Sequence, residues 1–340
     1  MRAQVFAGPN TFTLKELEIP EIQDDEVLVR VRAVGACGSD FHGFTGESGR
    51  RYPGMVMGHE IAGQIEQLGP SVHAYKKGDH VVVQPIRSCG HCTVCREGKT
   101  SVCLNKHMIG VNMDQVGGLA EYIPVHAENI CAIDSKIPFE IAALSEPLAV
   151  GFGAVARSGM KENLTVAIVG AGMIGLSILL ALSPYTPSKV FILDKKENKL
   201  SVAENLGAIP INFEKVDPVK TILEQTDGLG ADITFEAVGL QASVTSSILA
   251  TRVGGRIVWV GNMAPEVTIP MQEIVTKARE ILGVYCYESD DFRRSVQYIE
   301  KNPHLMERFV NTTVPLERTQ ELFMQLSNGE LDVFRAVITV

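Results

Sequence analysis

Four of the seven cysteines in this 340-residue chain fall within one short stretch, CGHCTVCREGKTSVC, from Cys89 to Cys103. Their spacing lets four thiolates close a tetrahedron around zinc with no position open to a substrate, which is the chemistry of a structural site. Two other chemistries use the same residues. A CxxC redox pair would occupy two of the cysteines and leave the others without a role, and an iron–sulfur cluster also takes four thiolates. His91 lies inside the run and reads as a bystander. The other candidate donors are scattered: Cys37 in GACGSDFHGFTG, His59 and Glu60 in MVMGHEIAG, and Glu146 in LSEPLAV. Cysteine, histidine and carboxylate are the ligand types of a catalytic zinc, which needs about three protein ligands and one exchangeable position. Taken singly, each has a plainer explanation; a lone cysteine, for example, is usually a small buried hydrophobe.

A third motif gives the scattered donors a context. GAGMIG, from Gly170 to Gly175, follows the strand-like TVAIV and opens an apolar, helix-like stretch. In such a setting Gly170 permits a tight turn, Gly172 lets the backbone approach a pyrophosphate, and Gly175 lets helix and strand pack closely. The helix N-terminus at Met173 and Ile174 then offers free N–H groups to the phosphates. Asp194 ends the next apolar run, VFILD, where a carboxylate accepts hydrogen bonds from ribose hydroxyls and repels a 2′-phosphate. NAD is therefore expected rather than NADP, although Asp194 suits a helix N-cap equally well and Lys195 and Lys196 follow it.

Two kinds of scaffold are needed to position these groups. Up to about residue 150 the chain reads as short β-segments between glycine-rich turns: EVLVRVRAVGAC, HEIAGQIEQLG, DHVVVQPI and LAEYIPV. From Leu164 apolar runs alternate with helical patterns, through LTVAIVGAG, VFILD, ADITFEAVG, GRIVWVG and ILGVYCY, which indicates a parallel sheet covered on both faces. The closing strand FRAVITV has no partner there and is expected to return to the first domain. The expected fold class is α/β, with a mostly-β domain over 1–149 and 289–340 and a doubly wound domain over 150–288. A length of 340 residues suits two domains. Hydrophobic residues at 45% and a net charge of −9 favour a globular protein with a small-molecule partner over a nucleic-acid binder. The N-terminus lacks a secretory h-region, and the apolar run Ile174–Leu182 is too short to span a bilayer. A cytoplasmic protein is expected, in which clustered cysteines bind metal or do chemistry rather than form disulfides.

In order along the chain, CGSDFH, GHE, the four-cysteine lobe, EPLAV and GAGMIG resemble the zinc-dependent medium-chain dehydrogenase/reductase family over essentially the whole length. Glu60 directly after His59, with EPL at Glu146, is similar to the polyol (sorbitol-type) dehydrogenase branch. The resemblance implies a GroES-like catalytic domain, a Rossmann coenzyme domain, an active site in the cleft between them, and a homodimer or homotetramer. It implies two Zn2+ per subunit. Cys37, His59 and Glu60 would hold the catalytic zinc, with Glu146 ligating it or holding its water, and Cys89, Cys92, Cys95 and Cys103 would hold the structural one. Ser39 matches the hydroxyl that takes the substrate proton, His42 the outer imidazole of a proton relay, and Asp40 a carboxylate beside the metal. Arg335 resembles an arginine that reaches the coenzyme pyrophosphate. One position departs: Cys286 stands where polyol dehydrogenases carry an arginine against substrate hydroxyls, followed by the matching Tyr287. The implied reaction oxidises a secondary hydroxyl of a polyol to a ketone, with hydride transfer to NAD. Alternatives are a polyol phosphate, met by Arg50 and Arg51, L-threonine as substrate, or a non-catalytic zinc- and nucleotide-binding regulator.

Overall fold

The computed structural model describes residues 1–112 and 116–340. Two compact units emerge, Met1–Glu146 with Glu288–Val340, and Pro147–Tyr287. The fold class is α/β, with a GroES-like β-rich unit and a Rossmann-type unit.

In the second unit six parallel strands lie in the order Ile209–Asn212, Lys189–Asp194, Thr165–Val169, Ala231–Glu236, Thr251–Trp259 and Glu280–Gly283. The central strand is apolar because both its faces are covered: Val166, Ala167 and Ile168 are fully buried. The half-buried edge strand Ile209–Asn212 is one the apolar-run reading passes over, since four residues with a proline show neither a run nor an alternation. Chain order reverses between Thr165–Val169 and Ala231–Glu236. In open α/β sheets the carboxyl ends of the strands at such a switch point are where ligands bind. GAGMIG sits at this place. Gly170 takes a φ of +102°, which only glycine adopts without strain. A β-carbon on Gly175 would lie 1.8 Å from the Gly170 carbonyl oxygen. Gly175→Ala is therefore expected to force the turn and helix apart, at about 1–3 kcal/mol of overpacking, and to abolish the thermal protection given by added dinucleotide. Melting curves with and without NADH check this.

The first unit is built on a seven-stranded sheet. Glu26–Gly35 lies at its centre, antiparallel to Glu60–Leu68 on one side and to Arg335–Thr339 on the other, with Tyr122–His126 also pairing to it. The C-terminal strand thus returns to this unit, as its unpartnered sequence requires. An N-terminal hairpin, Arg2–Gly8 with Thr11–Glu16, adds Phe12 to the core, where its ring stacks on Phe44 at 5.0 Å and meets Phe323 edge-on at 5.1 Å. These aromatic contacts fix the helix Gly38–Phe44, which carries Ser39, Asp40 and His42. One stretch, Phe139–Arg157, has the length and apolarity of a bilayer span, but 72% of its most apolar window is buried within the protein, as in a core helix.

Candidate metal centre and dinucleotide loop

Two adjacent strand ends assemble the scattered donors. Gly35, at the end of Glu26–Gly35, is the cross-strand partner of Glu60, which begins Glu60–Leu68. Cys37 lies two residues beyond the first and His59 one residue before the second, so antiparallel pairing brings them together. Gly58, at φ +95°, turns the chain into His59. Donor atoms of Cys37, His59 and Glu60 all lie within 4.8 Å of one another. Gly35 makes the room: a β-carbon there would stand 2.0 Å from Glu60 Oε2.

The electrostatics are those of mutually coupled, buried ionisable groups. Glu60 is fully buried and neither carboxylate oxygen has a hydrogen-bond partner. Burial pushes its carboxyl up to about 8, against the opposing pull of Arg335. Burial also raises the Cys37 thiol, but His59 and Arg335 outweigh it and bring the thiol down to about 7. Burial disfavours charge on His59, yet Asp40 and Cys37 hold its imidazole well above the ordinary range. A buried thiolate, an imidazole and a carboxylate whose oxygens accept no hydrogen bond, converging on one point, are a donor set suited to zinc, and the residues fit that metal.

Around this cluster the site residues fall unevenly. Ser39 Oγ donates to Cys37 Sγ at 3.4 Å. Asp40 Oδ2 lies 3.2 Å from His59 Nδ1, an ion-pair distance with an angle too poor for a hydrogen bond. His42 is partly exposed, and its Nδ1 meets Glu47 Oε2 at 2.9 Å, a partner the sequence reading did not identify. Glu146 is buried in the first turn of Ser145–Arg157. It stands outside the three-residue donor cluster, though near enough for its charge to raise the Arg335 guanidinium.

Both arginines considered for a phosphate are paired within the β-rich unit. Arg335, expected at a coenzyme phosphate, is buried beside the metal cluster. Its Nη2 lies 3.2 Å from Glu60 Oε1 and its Nη1 donates to the Ala36 carbonyl at 2.8 Å. Arg51, considered for a substrate phosphate, is buried too, with Nη2 donating to Asp40 Oδ1 at 3.1 Å. Only Arg50 of that pair is exposed. Cys286 lies beyond the strand Glu280–Gly283 in a left-handed conformation, φ +56°, with Tyr287 buried after it.

The sulfur atoms of Cys89, Cys92, Cys95 and Cys103 also lie within 4.8 Å of one another, and all are free thiols. A zinc–sulfur bond of about 2.3 Å gives a tetrahedron with edges of about 3.8 Å, and Cys92 Sγ to Cys103 Sγ is 3.8 Å. That is far beyond a disulfide bond, which is about 2.05 Å. Backbone N–H groups of Cys89 and Asn105 point at Cys103 Sγ, each at 3.3 Å. Burial pushes the Cys95 thiol up to about 12, whereas backbone donors bring the Cys92 thiol down to about 6. The His91 ring turns away to the Cys89 carbonyl at 2.7 Å and contributes no donor. Glu288 anchors the lobe, accepting from Thr100 N at 3.1 Å and from Ser101 Oγ at 2.7 Å. Its partners lie nearly two hundred residues away, so no local pattern announces it.

In the other unit the dinucleotide loop is held by Asp194. One oxygen accepts from Ala171 N at 2.8 Å, and the other from Lys195 N and Lys196 N. Asp194 thus performs the turn-capping role that its residue type allows, while joining its strand to GAGMIG. At Gly172, the N-cap of Met173–Ala181, a β-carbon would meet nothing within 4 Å. The backbone is open there, ahead of the N–H groups of Met173 and Ile174, as a phosphate cradle requires.

Comparison with known proteins agrees with this geometry. Residues 23–135 match the alcohol dehydrogenase GroES-like domain and residues 170–301 the zinc-binding dehydrogenase domain. The sorbitol dehydrogenase of Bacillus subtilis is 30% identical over 326 residues, covering 94% of this chain and 92% of that protein. An L-threonine 3-dehydrogenase of Symbiobacterium thermophilum is 36% identical over 262 residues, covering 75% and 73%. The crystal structure of an Escherichia coli oxidoreductase/dehydrogenase of unknown specificity superposes with a TM-score of 0.94 at 30% identity, covering 99% of this chain and 98% of that one. The chain belongs to the zinc-dependent medium-chain dehydrogenase/reductase family, in its polyol dehydrogenase branch, and is an oxidoreductase acting on CH–OH groups.

Proposed function

We propose that the protein oxidises a secondary hydroxyl of a polyol to a ketone, using NAD, one zinc at Cys37, His59 and Glu60, and a second, structural zinc in the four-cysteine lobe. The observation that carries this reading is the buried convergence of thiolate, imidazole and carboxylate, with Glu60 held where Gly35 leaves room. When bound, zinc supplies Lewis acidity that lowers the pKa of the substrate hydroxyl, and the nicotinamide accepts the hydride. Ser39, whose hydroxyl donates to Cys37 Sγ, takes the hydroxyl proton. His42 is partly exposed with Nδ1 set by Glu47, which leaves Nε2 to pass that proton to water. Glu146, buried and charged near Arg335, serves as a further ligand or as an acceptor for a water on the metal. Asp194, with one oxygen bonded to the glycine turn at Ala171, receives the ribose hydroxyls and disfavours a 2′-phosphate.

A second reading, L-threonine as substrate, is favoured by the 36% identity to an L-threonine 3-dehydrogenase. A polyol phosphate is less well supported, because Asp40 occupies the Arg51 guanidinium that a phosphate would need. A panel of polyols, polyol phosphates and L-threonine, each offered with NAD and NADP, tests the proposal. NADH formation from an unphosphorylated polyol is the expected result; turnover of L-threonine alone would replace it with the second reading. Exposed Val253, Met271 and Val275 support a homodimer or homotetramer.

A further inference from the structure

We infer that Arg51 is a positioning residue for the metal ligand His59, acting through Asp40. The inference rests on the zinc reading of Cys37, His59 and Glu60. Three buried side chains form a line: Arg51 Nη2 to Asp40 Oδ1 at 3.1 Å, then Asp40 Oδ2 to His59 Nδ1 at 3.2 Å, with Asp40 and His59 almost wholly enclosed. A histidine that meets a metal through Nε2 is oriented by what lies at Nδ1, and here that is the Asp40 carboxylate at ion-pair distance.

Charge supplies the argument for the third member. The Asp40 carboxylate is almost wholly enclosed. A buried carboxylate without a counterion costs several kcal/mol. Arg51 is the cation in contact with Asp40, and it stays charged whatever the metal does. Its planar head is itself steadied, with Nη1 donating to the Arg50 carbonyl at 3.4 Å, so the single bond from Nη2 reaches Asp40 Oδ1 from a set direction.

The neighbouring helix is shaped to admit it. A β-carbon at Gly43 would stand 2.5 Å from Arg51 Cγ, so the stem of Arg51 lies over the one residue in Gly38–Phe44 that leaves space. Alanine would improve the intrinsic propensity of that helix by about 1 kcal/mol while displacing Arg51. A glycine here serves the arginine rather than the helix.

The test uses the full-length protein loaded with zinc, and follows metal transfer to a chromogenic chelator. The release phase missing in Cys37→Ser is assigned to the His59 site, and the remaining phase to the four-cysteine lobe. Arg51→Gln is expected to speed the first phase roughly 10- to 100-fold, the usual range for losing an outer hydrogen-bond partner of a metal ligand, and to leave the second unchanged. Arg51→Lys is expected to recover part of the loss, and cobalt in the same site to show a shifted visible spectrum in Arg51→Gln. Release from Arg51→Gln at the native rate, or equal acceleration of both phases, would overturn the inference, the latter marking a general loss of stability. If Arg51→Gln does not fold, Gly43→Ala decides: selective acceleration of the His59 phase supports the inference and native release overturns it. A native protein with no Cys37-dependent phase would instead defeat the zinc reading itself.

Discussion

Cys37→Ser is expected to abolish turnover and to remove one zinc per chain while the four-cysteine zinc stays bound. The sulfur is the soft donor in a cluster whose other members are an imidazole and a carboxylate. Its thiol is held near 7 by His59 and Arg335 despite burial, so it ligates as a thiolate at neutral pH. A serine hydroxyl stays protonated there and gives up both charge and polarisability. The Ser39 hydroxyl loses its sulfur partner as well. If the metal supplies the Lewis acidity for hydride transfer, kcat/KM should fall at least about a thousandfold, or roughly 4 kcal/mol of transition-state stabilisation. The melting temperature should fall only by what the lost zinc contributed as a bound ligand, because the core around Phe12, Phe44 and Phe323 is untouched. Steady-state kinetics together with metal content by mass spectrometry check this. Near-native activity with one zinc missing would separate the chemistry from the cluster.

Cys92→Ala should produce the reverse pattern, with stability lost before chemistry. The four sulfurs lie at tetrahedral spacing and have no catalytic group among them. Removing one leaves three donors, with the Cys95 thiol pushed far up by burial and no cation to ionise it. A metal held at a thousand times its dissociation constant stabilises the folded state by about 4 kcal/mol, so its loss should lower the melting temperature on the order of 10 °C. The effect should spread beyond the lobe, because Thr100 and Ser101 are bonded to Glu288, where the chain re-enters the β-rich unit. Calorimetry beside initial rates at low temperature separates the two effects. A fall in kcat larger than the fall in stability would argue for chemistry at this site.

What was legible in the sequence was chemistry carried by neighbours along the chain. GAGMIG could be read because strand, turn and helix N-terminus follow one another without a gap, and the four cysteines because a zinc tetrahedron fits inside one loop. The scattered donors gained their meaning from family resemblance; the register that joins them, Gly35 opposite Glu60, depends on strand pairing. Partners fixed by the tertiary fold were not legible. Arg335 meets Ala36 and Glu60 across almost the whole chain, and its residue type fits a phosphate as readily as a buried carboxylate. Arg51, in a polar loop beside Arg50, fitted a substrate phosphate by residue type, yet it is buried on Asp40. Asp194 suited either a ribose or a helix N-cap; Lys196 is the N-cap here, and Asp194 accepts from backbone N–H groups ahead of it. Glycine spacing foretold the dinucleotide loop, but nothing local marks Gly35 or Gly43 as space left for a side chain far away in sequence.

The most direct test of the central claim is NADH formation from polyols as a function of zinc content per chain, from fully loaded protein through stepwise chelation and reloading. The expected result is a linear rise in turnover between one zinc and two, with the first equivalent held by the four cysteines and giving none. Full turnover at one zinc per chain, or polyol oxidation that survives complete loss of metal from Cys37, His59 and Glu60, would contradict it.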